Sequence, residues 1–253
     1  MAGVRSHRSW RHERFEELAE MPGTINYKAQ ALTRRRVLLT GVGAAAAGGL
    51  LALRKPSWAQ LLADVPPGGI RFDVLRGDGV VGRHEVDFRL TDHRLQVETR
   101  IDVVVSVLAV VVFRYRHLGI ETYVGDQLVR FESETDDDGA RFRVLGDARP
   151  DGFAISTAKG MVMAPSDILV GSYWTPRVIE RRLLIDPKRG RVKEQVVAGR
   201  ERITVPVQAT TRAATRYRVS GIITGSVTYD DDGRWIAASL VSKGSEIVYR
   251  LRG

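Results

Sequence analysis

The stretch 83-RHEVDFRLTDHRLQVETRIDV-103 alternates apolar and charged residues twice over. Val86, Phe88 and Leu90 share one parity, and Glu85, Asp87 and Arg89 the other. From Arg94 the pattern resumes: Leu95, Val97 and Ile101 stand against Arg94, Gln96, Glu98, Arg100 and Asp102. A period of two is the signature of a strand. A polar alternate parity leaves one face in water, which fits antiparallel pairing and not a parallel sheet covered on both sides.

The same alternation runs through 128-LVRFESET-135, 141-RFRVLG-146, 191-RVKEQVV-197, 217-YRVSGIITGSVTY-229, 234-RWIAASLVSK-243 and 245-SEIVYRLR-252. Two Asp-rich stretches, 136-DDDGARF-142 and 230-DDDGRW-235, read as tight hairpin turns. Asp bonds its own backbone, and Gly accepts a positive φ. Three acids in a row also suggest calcium, but a calcium loop spaces its acids alternately and ends on a bidentate Glu. Neither stretch does, and no metal site is expected. The run 101-IDVVVSVLAVVVF-113 is almost wholly β-branched and predicts one or two strands buried on both faces. Only 158–185 breaks the pattern. Pro165 and Pro176 bracket it, and Ser166 or Asp167 offers a helix cap, so it predicts a short helical or loop insertion over one end of the sheet. The expected fold is therefore all-β: a strongly curved antiparallel meander, whether roll, clam or barrel-like, forming one domain over residues 60–253.

Composition narrows the function classes. The chain of 253 residues carries a net charge of +9. Ten Lys/Arg and four Asp/Glu lie in residues 1–59, which leaves 29 basic and 26 acidic residues beyond them. The body is near balance, with its Arg interleaved among acids, so nucleic-acid binding is not expected. There is no cysteine, which excludes disulfides, thiolate metal sites and a Cys nucleophile.

Residues 33-TRRRVLLTGVGAAAAGGLLALRKPSWAQ-60 form a basic segment, a weak apolar run rich in Gly and Ala, and a small-x-small site. Arg34 and Arg35 followed by Val37 and Leu38 resemble a twin-arginine export signal. Residues 1–59 are thus expected to be a leader and signal helix, with cleavage between Ala59 and Gln60 and an alternative start at Met21. The expectation that follows is export by the twin-arginine translocase to the periplasm, with a membrane tether if the signal is not cleaved. The mature domain is not expected to span a membrane.

The strings 114-RYRHLGIETYVGDQLVRFESETDDDGARFRV-144, Tyr173-Trp174, 217-YRVSG-221, 229-YDDDGRW-235 and 244-GSEIVYRL-251 resemble a family of exported bacterial proteins classed only as a domain of unknown function. More distantly they resemble spiral β-roll envelope proteins. Tyr123 departs from the pattern, which leads one to expect Trp there. The resemblance implies a fold and an address and carries no reaction or cofactor with it.

The residues themselves offer little chemistry. No Gly-x-Ser-x-Gly elbow, phosphate loop or His-x-x-x-His occurs in the body. His84 and His93 read as solvated sheet-face residues. No catalytic residue is assigned. Two groups remain as ligand-binding candidates. Tyr115, His117, Glu121 and Tyr123 share one strand face, broken by Gly119, and mix stacking surface with a titrating group. The alternative is a cross-strand polar ladder against Arg130 and Glu132. Tyr173, Trp174 and Arg177 in the insertion form the second group, for which a plug over the core is the stronger reading. The leading expectation is a non-catalytic protein that binds an amphiphile, an envelope glycan or a protein partner in the concave face of its sheet. The rival is a hydrolase acting on envelope material through carboxylates or His117.

Overall fold

The computed structural model describes residues 58–207 and 210–252. The residues of the expected export signal, Arg34, Arg35, Val37 and Leu38, lie outside them. The described part opens with a short helix α1 (Trp58–Ala63), which holds the expected cleavage positions Ala59 and Gln60. Its Leu61 is fully buried in the core.

Alternating segments fold back on their predecessors to give an almost wholly antiparallel architecture. The first eight strands are β1 (Ile70–Arg76), β2 (Gly79–Thr91), β3 (Arg94–Val107), β4 (Val110–Val124), β5 (Gln127–Asp137), β6 (Ala140–Arg149), β7 (Gly152–Thr157) and β8 (Gly160–Ala164). Three short strands follow: β9 (Leu169–Val170), β10 (Leu183–Ile185) and β11 (Val192–Glu194). The last five are β12 (Val196–Val207), β13 (Thr210–Ser220), β14 (Gly225–Asp230), β15 (Trp235–Ser242) and β16 (Ser245–Leu251).

Thirteen strands form one sheet in the order β12-β13-β14-β15-β16-β1-β2-β3-β4-β5-β6-β7-β8. Chain ends meet in its middle, where β1 pairs with β16. The edges, β12 and β8, do not pair with each other, so the sheet is open. Its inner face carries one continuous core that includes Phe72, Val86, Leu95, Val97, Phe131 and Phe153. The small sheet β11-β10-β9 packs into the same core through Leu169, Val170, Leu184 and Ile185. A roll too wide to fill itself is thus filled from within by the insertion.

The insertion carries a short helical turn, as its sequence predicts, and packs into the core. It holds a five-residue 3-10 helix, Pro176–Glu180. The cap is Thr175, whose Oγ1 accepts from Arg177 N at 3.3 Å, in place of Ser166 or Asp167. The Asp-rich turns are as expected. At 136–139, Asp138 and Gly139 both take positive φ, and Gly139 N donates to Asp136 Oδ1 at 2.8 Å. At the other, Asp230 Oδ1 accepts from the backbone N–H of Asp232 and Arg234.

Three expectations need correction. The stretch 217–229 is two strands, broken between Ser220 and Gly225 where Gly221 and Gly225 take positive φ. His84 is 4% exposed, enclosed by the rings of Phe72, Trp235 and Tyr249. It has the parity of Val86 and Phe88, and parity outweighs side-chain polarity. The run 101–113 is two strands, β3 and β4, but their tip is open to solvent: Val107 is 55% and Leu108 95% exposed. The two strands outrun their neighbours, so nothing covers the last residues.

Trp174 is 0% exposed and is contributed by the insertion to the sheet's interior. Trp174→Ala should therefore cost about 3–5 kcal/mol, read as a lower denaturant midpoint with the β-rich circular-dichroism spectrum retained.

Candidate functional site

Cross-strand register assigns each candidate side chain to a row on the inner face. Phe72, His84, Ile101, His117 and Thr135 lie side by side on β1 to β5. A second row holds Phe88, Val97, Glu121 and Phe131. Glu121 therefore faces Phe131. Arg130 and Glu132 pair with Thr122 and Ile120 on the other parity, so the expected ladder partners lie on the outer face. A register shift between Thr122 and Tyr123 ends this alternation, and Thr122 and Tyr123 are both buried.

The sequence candidates divide into two clusters. In the first, Glu121 Oε2 accepts from the Tyr123 hydroxyl at 2.6 Å and from the Trp174 indole N–H at 3.3 Å. Trp174 meets Tyr123 and Phe88 edge-on, with centroids 5.9 and 5.3 Å away. Thus strand candidates and insertion candidates, 53 residues apart in the Glu121–Trp174 pair, converge. Burial raises the Glu121 carboxyl above its ordinary range, with neighbouring hydrogen bonds pulling the other way.

Around this contact the insertion is tied down by polar links. Tyr173, held at φ 61°, donates from its hydroxyl to Gln195 Oε1 at 2.8 Å, and its carbonyl accepts from the Tyr229 hydroxyl at 2.9 Å. Gln195 Nε2 donates to Val178 O at 2.7 Å. The Thr175 hydroxyl donates to Asp64 Oδ2 at 2.6 Å. Arg177 is buried and donates to Asp126 O at 3.1 Å, while its Nε and second terminal nitrogen have no protein partner. Its cation opposes the burial that raises the Asp64 carboxyl.

The second cluster centres on His117, 6% exposed. Its Nδ1 lies 2.7 Å from Thr135 Oγ1, and Tyr115 stacks on it at 6.5 Å. The ring lies against Gly119, where a Cβ would stand 3.0 Å from His117 Nε2. Gly119 thus leaves room for the imidazole, a close approach that the break in the strand pattern signalled. Burial lowers His117 to about 4, helped by Lys188, and lowers His84 to about 3, helped by His117. Both rings are neutral near pH 7. Among the described residues no group of three or more His, Asp or Glu is placed to hold a metal.

A separate feature escaped the sequence reading. At the end of the roll where β1 and β15 begin, a cleft of about 380 Å³ lies between the 66–69 loop and the strand ends. Arg71, Arg212, Arg234 and Arg252 line it beside Ile70, Trp235, Ile236 and Leu251, and no lining residue carries a carboxylate. The acids stand behind: Arg71 pairs with Asp87, Arg212 with Asp230 at 2.8 Å, Arg252 with Asp73 at 3.4 Å, and Arg234 with Asp232 at 3.8 Å. A guanidinium has five donors, so a backing carboxylate orients it without using it up. The first and last of these four residues stand 181 positions apart, and no local motif marks them.

Residues 72–252 match a family profile described as Domain of unknown function (DUF6134). Among solved structures, a β-barrel-like protein of domain of unknown function DUF1849 from Brucella abortus is similar at 12% identity and a TM-score of 0.49. The similarity covers 73% of this chain and 94% of that one. A search of curated proteins gave no match. No helix of the described residues is long and apolar enough to cross a membrane.

The buried groups make stability depend on pH in opposite senses. The native carboxyl of Glu121 titrates above its unfolded value, so its contribution is full below the ordinary carboxylate range and is lost as pH rises through the native value. The histidines titrate at about 3 and 4, so theirs is full above the ordinary imidazole value and is lost as pH falls. Glu121→Gln, an isostere of the protonated acid, should gain stability over the parent at pH 8 and not at pH 4. His84→Leu removes a ring whose two nitrogens are buried without partners, and should flatten the acid limb. Denaturant midpoints from pH 4 to 9 check both.

Proposed function

The chain belongs to the DUF6134 family, and we propose that it is an exported, non-catalytic protein that binds an anionic amphiphile in the arginine cleft. One observation carries the reading: four guanidinium groups and no carboxylate line a cleft whose other lining includes Ile70, Trp235, Ile236 and Leu251. An apolar lining with a few convergent cations suits a ligand with an alkyl body and a phosphate or carboxylate head. The volume of about 380 Å³ falls in the range of small-ligand sites.

The concave face of the sheet is filled by the core and by the insertion. Glu121, Tyr123 and Trp174 are at most 2% exposed. In this reading they hold the roll around its plug, and the amphiphile sits at the end of the roll, outside that packed interior. The reading also takes the resemblance of 34-RRxVL-38 to a twin-arginine signal as an address, which puts the protein in the periplasm among amphiphilic envelope components.

Dodecyl phosphate, monitored by tryptophan fluorescence, tests the cleft. Binding should exceed that of dodecyl maltoside and weaken with salt. Arg234→Ala combined with Arg252→Ala should weaken it at least about tenfold, at roughly 1.5–3 kcal/mol per charged hydrogen bond, with little change in thermal midpoint. Equal affinity for the neutral detergent, or an unaffected double variant, overturns the reading. The address is tested by Arg34→Lys with Arg35→Lys, which should leave the chain in the cytoplasmic fraction. Recovery of that variant from the periplasm overturns export by this route.

A further inference from the structure

The β3–β4 hairpin ends in an apolar ribbon that pairs with no other strand. The last β2 partner on β3 is Gly82 opposite Val103, and the last β5 partner on β4 is Asp137 opposite Tyr115. Beyond these, Val104 pairs with Arg114, and Val105–Val107 pair only with Val110–Phe113. The β3 arm is four residues, a projection of about 13 Å. From Val103 to Phe113 there is no charged residue, and Ser106 is the single polar one.

Exposure rises along this ribbon from base to apex. Val105 is 9% exposed, Val112 47%, Val110 64% and Leu108 95%. The apex is also built against turn preference. Leu108 and Ala109 take φ of 50° and 64°, a left-handed pair that Asn-Gly or Asp-Gly fills without strain. The neighbouring turns β1–β2, β5–β6 and β15–β16 each place a Gly at positive φ. Here turn propensity has given way to a Leu at the outermost point. Val80 at the β1–β2 turn, Val241 at the β15–β16 turn and Met161 at the β7–β8 turn, all at the same end, are 55%, 60% and 67% exposed.

We propose that this hairpin is a membrane-surface anchor: Leu108 and its flanking valines enter the interface of a lipid bilayer end-on. Three features select a lipid surface over a second copy or a protein groove. The apolar gradient runs along the ribbon toward its apex, whereas a lateral partner needs one apolar side and one polar side. Charged groups stand only at the base: Arg114 is exposed, and Lys243 Nζ lies 3.8 Å from the centroid of the Phe113 ring and 3.7 Å from Asp137 Oδ1. An apolar tip followed by an aromatic ring with a lysine on its face, and charge only beyond that, matches the depth order of a bilayer interface. The free outer edges of the arms also set the depth. Unpaired backbone groups do not enter hydrocarbon, so the arms stay among hydrated headgroups and only the apex is immersed. The proposal stands apart from the arginine cleft, which lies at the opposite end of β1.

The test uses the full chain, so that any contribution of residues 1–57 is common to all variants. Wild type, Leu108→Asp and Leu108→Trp are mixed with sonicated vesicles of phosphatidylethanolamine and phosphatidylglycerol and sedimented. Leu108→Asp should bind about tenfold or more weakly, with an unchanged thermal midpoint, since the apex touches nothing in the fold. Leu108→Trp should add a blue-shifted emission component with vesicles and none without. Equal binding of wild type and Leu108→Asp overturns the proposal, as does an emission from Leu108→Trp that vesicles leave unshifted. If Leu108→Asp instead lowers the sedimenting mass of the protein without lipid and leaves vesicle binding as it was, the occupant is a second copy and the proposal fails.

Discussion

A thirteen-stranded sheet that curls without closing has to bury one face against something other than itself. Here that something is the insertion between β8 and β12. Trp174 is the largest of its fully buried side chains, edge-on to the rings of Phe88 and Tyr123 with its indole N–H on Glu121. The arrangement solves two problems at once. It fills the roll with apolar volume, and it gives a buried carboxyl and a buried indole each other as partners. Tyr173, Thr175 and Gln195 fasten the backbone on either side through hydrogen bonds to Tyr229, Asp64 and Val178. Unpaired, any of these buried groups would cost about 1–3 kcal/mol. Linked, they orient the plug in a single way.

The plug changes what the titratable residues mean. A row of Tyr, His and Glu on one strand face is the material of a ligand cleft or of a polar ladder, and sequence does not distinguish them. In the fold, His117 bonds Thr135 one strand away, and Glu121 bonds a Trp from the insertion. Both are shifted toward their neutral forms chiefly by burial. A neutral acid and neutral imidazoles are compatible with a packed interior where their ions would not be. The perturbed groups here follow from packing, and the open, charged surface lies at the cleft.

Alternation was legible because one sheet face is wet: 83–103 alone fixes strand, hairpin and antiparallel class. Where it failed, the cause is local. His84 obeyed its parity and was misjudged by its polarity. Tyr123 follows a bulge, so its parity relative to Arg130 is not carried by sequence. The 3-10 helix takes its cap from Thr175 because Pro176 follows it directly, whereas Ser166 and Asp167 precede a two-residue strand. The arginine cleft was beyond reach, since its four cations sit on the ends of strands brought together only by the meeting of β1 with β16. The run 101–113 misled for the opposite reason. Apolar residues on both parities normally mean cover on both faces, and nothing in that segment says that β3 and β4 outlast the strands beside them.

The two ends of the roll therefore differ in kind, and the difference follows from the meander. Every odd-numbered strand from β1 to β7 runs from the cleft end to the hairpin end. The turns that close these four hairpins collect at one end; the β2–β3, β4–β5 and β6–β7 turns lie at the other, together with the entry into β1 and the exit from β16. Entry and exit strands meet side by side, which places Arg71 near Arg252 and leaves a gap between strand ends that becomes the cleft. The hairpin turns, free of that closure, vary in length without disturbing the core, and β3–β4 has lengthened into an apolar ribbon. A molecule of this form can hold a surface with one end while presenting cations at the other. The sheet between them packs on the insertion through Trp174.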